Sequence, residues 1–183
     1  MKLRTKPLGR LTGALCDALW RANNVPKATA WLDGLGLEQA RRHWRVGAAW
    51  AEVDGDRWHP SARGTGRPVV VAPVMAAECS PVLDDVLAFD PKHPSSWWTM
   101  NGNAVVLGRD LVLPMGAPVR LWPDPLAWAR ANSGVVVLDA DRARDILHDG
   151  RLTLVVSDPD HGHKIKKALE RPLPRIMVDR RAA

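Results

Sequence analysis

VRLWPDPLAWARANSGVVVLDADRARDILHDGRLTLVVSDPDHGHKIKKALERPLPRIMV, residues 119–178, is the stretch on which the reading of the fold turns. It holds four short apolar runs: Val119–Trp122, Val135–Leu138, Leu152–Val156 and Arg175–Val178. Between them, Pro125–Ala131, Asp141–His148 and Asp160–Glu170 have the composition of short helices. A strand covered on both faces loses the alternation of apolar and polar residues, so continuous β-branched runs separated by helices predict βα repeats on a largely parallel sheet.

Upstream, Val46–Val53, Arg67–Val74 and Val82–Phe89 extend the set of strands, with a turn at Asp54–Asp56. Residues 58–68, WHPSARGTGRP, have loop composition, and Pro91 and Pro94 argue against a long regular element across residues 90–98. Gly64 and Gly66 lie in a GTG that lacks the Rossmann spacing and the Walker ending, so a turn is the expectation there. Trp97 and Trp98 must point to opposite faces if extended, one toward the core and one toward a groove. Leucines at 8, 11, 15 and 19, then Val25–Leu32 and Leu37–Trp44, predict short helices, with Ala40 and Trp44 facing inward. The expected fold class is α/β: a single mixed, largely parallel sheet flanked by helices, with a short helical N-terminal portion. Residues 1–45 form that portion and residues 46–183 the α/β core, integrated as one domain.

The chain of 183 residues has no apolar run of membrane-spanning length, and its basic start is not followed by a signal-peptide core. A cytoplasmic protein without membrane contact is expected. Cys16 and Cys79 make no zinc or redox motif and read as small buried side chains in a reducing compartment. The net charge of +6 is unevenly spread. Residues 1–50 carry nine Lys/Arg against three Asp/Glu, residues 51–150 nine against thirteen, and residues 151–183 eight against four. Basic ends attract polyanions through a salt-sensitive force. The contacts expected for DNA or RNA are Lys164, Lys167 and Arg171, joined by Arg41, Arg42 and Arg45.

Ligands of open α/β sheets settle in the crevice beyond strand ends, which draws attention to Asp139, Asp158 and Asp160. SDPDHGHKIKKAL, residues 157–169, together with Glu78 on VMAAE, resembles the toprim family of primases, topoisomerases and related nucleases. That family pairs a glutamate after one strand with a DxD loop after another, on a compact α/β fold. The resemblance implies that Glu78, Asp158 and Asp160 hold Mg or Mn for phosphoryl transfer. Glu78 is followed by cysteine rather than glycine, and Gly162 falls one residue early for DxDxxG. The plainer role of Asp158 or Asp160 is to cap the helix after it.

The function expected first is that of a non-enzymatic nucleic-acid-associated accessory protein without a cofactor. The alternatives are a toprim-like phosphoryl-transfer enzyme dependent on Mg or Mn, and a protein-binding scaffold anchored by exposed tryptophan and arginine.

Overall fold

Asp54, Gly55 and Asp56 fold the chain back tightly, with Gly55 at φ +58°. In the computed structural model, which describes residues 16–18, 21–22, 28–43, 45–62, 65–76, 82–109, 118–147 and 153–170, this turn joins β1 (Gly47–Asp54) to β2 (Arg57–Pro60). The two are antiparallel, with Val53 opposite Trp58. β3 (Arg67–Met75) lies along the other edge of β1, β4 (Leu83–Asp90) along β3, and β5 (His93–Thr99) along β4, all antiparallel. β5 then meets β2 in parallel at Arg57 and Thr99, closing a barrel of order β1-β2-β5-β4-β3.

The closed, mostly antiparallel barrel corrects the expected largely parallel sheet flanked by helices. The cause is visible in β3. Val69 and Val71 pack with Ala51, Trp58, Val86 and Ala88, while Val70, Ala72 and Val74 pack with Leu32, Leu37 and Ala40 from the helices and the cap between them. One face is covered because the sheet closes on itself, the other because helices lie on it. Both are apolar, and the run VVVAPV imitates a strand from a parallel sheet.

Strands extend into two segments read as irregular, at residues 58–60 and 93–98, while residues 61, 62, 65 and 66 lie outside any strand as expected. Trp58 of β2, in the stretch expected to be a loop, is fully buried and donates its Nε1–H to the Val86 carbonyl at 2.9 Å. Pro94 is tolerated in β5 because the pairing with β4 is irregular between Phe89 and Asp90, where a missing N–H leaves no ladder bond broken. Trp97 and Trp98 alternate as expected, against the two different apolar clusters.

Outside the barrel lie α1 (Ala28–Gly34) and α2 (Glu38–Arg42), with Ala40 buried as expected. Helical residues at 16–18 and 21–22 bring Ala18 and Ala22 to the cluster that holds Trp58. Cys16 is exposed rather than buried, and Cys79 lies outside the described residues, as do Trp44 and the leucines at 8, 11, 15 and 19. No described helix is long and apolar enough to cross a membrane.

The chain then builds β6 (Val106–Leu107), β7 (Val119–Arg120), α3 (Pro125–Ala131), β8 (Val136–Val137), α4 (Ala140–Leu147), β9 (Leu154–Val155) and α5 (Pro159–Leu169). Parallel pairing exists here in fragments: β7 beside β9, and a bridge from Leu121 to Val135. β6 and β8 are antiparallel. The run Arg175–Val178 lies outside the described residues. α3 has the bounds expected from sequence. Asp124 accepts the Ala127 N–H at 2.8 Å, Pro125 fills the first turn, and Asn132 ends the helix at φ 52°. Its Trp128 donates Nε1–H to the Gly134 carbonyl at 3.0 Å, beside Gly108 at φ +78°. A Cβ at Gly108 would collide with that carbonyl and with the indole, so glycine is required there.

The toprim resemblance implies one sheet carrying both acidic loops. β3, the last described strand before Glu78, belongs to the barrel, whereas β9, which leads to Asp158, pairs with β7 in a separate sheet. Among the described residues, the strands that lead toward the two acidic loops do not share a sheet.

Asp85 links the barrel to the chain beyond β5. Its carboxylate is fully buried and accepts five main-chain N–H groups. Oδ1 takes those of Val86 (2.8 Å), Met100 (3.0 Å) and Asn101 (3.0 Å), and Oδ2 those of Asn103 (2.7 Å) and Ala104 (3.1 Å). Asp85→Asn turns one acceptor atom into a donor facing N–H groups. It is expected to lower stability by about 3 kcal/mol, read as a reduced midpoint of urea unfolding at unchanged slope.

Candidate functional site

Where the barrel meets α4 and α5, a cleft of about 770 Å³ opens. The barrel supplies Asp56 from the β1–β2 turn and Trp97 and Thr99 from β5. Trp97 is half-buried, packed against the helix-covered cluster on one side and lining the cleft on the other. The opposite walls are Leu138–Arg142, where β8 passes into α4, and the face of α5 that carries Lys164, Lys167 and Ala168.

This geometry is set by a chain of polar contacts. Asp139 caps α4 by accepting the Arg142 N–H at 3.1 Å. The Arg142 guanidinium donates to the carbonyls of Gly102 (2.8 Å) and Asn103 (3.4 Å), in the segment whose N–H groups Asp85 holds. Arg144 donates from Nη2 to the Ala168 carbonyl at 3.2 Å, tying α4 to α5. The cleft walls are thus fixed to one another through main-chain groups.

The six expected nucleic-acid contacts separate. Lys164 and Lys167 lie three residues apart on α5 and both line the cleft. Among the described residues neither is held in an ion pair, whereas Lys166, on another face of the helix, lies 3.7 Å from Glu170. Arg41 is bound through two bonds to Asp33, at 3.0 and 3.2 Å, and Arg42 pairs with Glu38. Arg45 has a buried Nη1, and none of these three arginines lines the cleft. Arg171 lies outside the described residues.

Of the acidic candidates, Asp158 is the N-cap of α5, accepting the Asp160 N–H at 3.0 Å, and both side chains are exposed. Neither lines the cleft, and Glu78 lies outside the described residues. Among the described residues, no group of three or more His, Cys, Asp or Glu could hold a metal ion. Asp139, singled out as a strand-end carboxylate, does line the cleft, together with Asp56 and Asp141. A second hollow of about 540 Å³ lies under the other side of α5, between Leu121, Leu154 and Val156 and the helix residues Ile165 and Leu169.

Sequence reasoning missed Asp85 and Arg142. For Asp85 a signal existed: it has the same strand parity as Leu87 and Phe89, so the alternation puts an acid on an apolar face. Arg142 is one of several arginines in its segment, and its carbonyl partners lie about forty residues away in sequence, with nothing local to mark them.

Beside this network, burial pushes the Asp84 carboxyl above the usual carboxylate range, the Asp85 charge adds to the rise, and Arg142 and Arg109 partly offset it. The folded chain therefore holds this proton more tightly than the unfolded chain does. Stability falls as pH rises from the ordinary carboxylate range through the folded value, and the loss is complete above it. Asp84→Asn should be more stable than the parent at neutral pH, with the difference fading below the ordinary carboxylate range. Urea midpoints measured from acid to neutral pH check this.

No family model, curated protein or solved structure matches the chain.

Proposed function

We propose that the protein is a non-enzymatic accessory protein that binds nucleic acid through the cleft beside α5. The observation that carries this reading is the pair Lys164 and Lys167, two cations without a carboxylate partner among the described residues, facing a cleft that also offers Trp97 and Thr99. Ammonium groups attract phosphates and release their counterions, and an indole face takes a base of any sequence. Residues 151–183 carry eight Lys/Arg against four Asp/Glu, a basic excess that attracts polyanions through a salt-sensitive force. Arg41 and Arg42 contribute little to binding, because each already has a carboxylate partner.

Lys164→Ala/Lys167→Ala should weaken binding of labelled oligonucleotides, followed by fluorescence anisotropy between about 50 and 200 mM salt. The slope of log affinity against log salt should shrink by about 0.7–0.9 for each phosphate that is no longer neutralised. Arg41→Ala/Arg42→Ala should leave that slope unchanged. Failure of the parent protein to bind any DNA or RNA at the lowest salt would overturn the proposal.

A further inference from the structure

From the mixed charge of the cleft we infer that it takes a single strand and excludes a duplex, with one base stacked on Trp97 and the flanking phosphates on Lys164 and Lys167. This rests on the nucleic-acid reading above and specifies the form of the ligand.

The two lysines of the cleft stand apart from its carboxylates, while its third cation, Arg142, lies among them with Nε 4.0 Å from Asp139 and its guanidinium engaged with main-chain carbonyls. Lys164 and Lys167 stand on α5, while Asp56 projects from the β1–β2 turn and Asp139 and Asp141 from the start of α4. A single strand has one row of phosphates, which can follow the lysines while its bases turn toward the barrel. A duplex has two rows, with one charge for about every 1.7 Å of axis, and brings the second against carboxylates. Its bases are also paired and stacked, leaving no face for an indole.

Size favours the same choice. About 770 Å³ matches a pocket for a ligand of a few rings and is too small to admit a double helix. The stacking surface is held in advance: Trp97 is clamped from behind by the core cluster, and Phe89 lies opposite it in the β4–β5 ladder. The facing wall is held by Arg142, whose guanidinium is anchored to the carbonyls of Gly102 and Asn103. A site rigid on both sides loses little order when it closes on a flexible strand.

The test compares a fluorescein-labelled oligothymidylate with the same strand annealed to its complement, by anisotropy at equal salt. The single strand should bind at least about tenfold more tightly. Trp97→Leu should reduce single-strand affinity about tenfold, and Trp97→Phe, which keeps an aromatic face, should restore most of it. Because Trp97 also packs on the core, the unaltered protein supplies an independent readout. An oligonucleotide carrying 5-iodouracil, irradiated in the complex, should crosslink to the peptide that contains Trp97. Duplex binding equal to or tighter than single-strand binding would overturn the inference. So would a crosslink confined to other peptides, while the lysine variants still lost affinity: the general reading would stand and the single-strand assignment would not. Absence of binding to either probe would remove both.

Discussion

A buried carboxylate satisfied entirely by main-chain N–H groups sets the conditions for the rest of this molecule. Asp85 gathers donors from β4 itself and from residues 100–104, the exit of β5. Those residues leave the barrel with their N–H groups turned inward and the carbonyls of Gly102 and Asn103 available to Arg142. Arg142 ties α4 to this loop, beside the Leu138 and Asp139 N–H bonds to the Val105 carbonyl. One charge placed in a strand thereby orients a loop, and the loop orients a helix. Charge-assisted bonds of this kind are stronger than neutral ones, and five converge on this one group.

The fold also shows how burial and strand direction become confused. β-branched runs report how many faces of a strand are covered, not which way its neighbours run. In β3 and β4 the covering comes from barrel closure inside and helices outside, so the sequence pattern equals that of a parallel sheet. Direction was carried by shorter signals. Asp54-Gly55-Asp56 and the two residues between β4 and β5 are too short for anything but hairpins, and hairpins make antiparallel pairs. Where connections are long enough for a helix, between β7 and the bridge residue Val135, the pairing is parallel, as residues 119–138 suggest.

Local elements were legible and long-range ones were not. Asp124, Pro125 and Asn132 mark α3 because capping acts over a few residues. Asp158 likewise announces the start of α5. Trp58, by contrast, sits among loop-forming neighbours, and its burial depends on Val86, twenty-eight residues away. The cleft was half-readable for the same reason. Lys164 and Lys167 share a helix face that spacing alone reveals, and Asp139 comes just after a strand. That Asp56 and Trp97 should face them depends on barrel closure, and no periodicity encodes a closure between residues 57 and 99.

That closure differs from the other edges of the barrel. β3 and β4 are joined along most of their length, whereas β2 and β5 meet in register only at Arg57 and Thr99, helped by the Thr99 N–H to Asp56 carbonyl bond at 3.0 Å. The barrel is therefore a cylinder with one thin seam, and Asp56 and Thr99, which flank the seam, are also part of the cleft wall. Any molecule that touches both residues spans the seam from outside and acts as a clasp. Occupancy of the cleft and cohesion of the barrel are thus coupled: a filled site resists opening of the cylinder, and an opened cylinder has no site to fill.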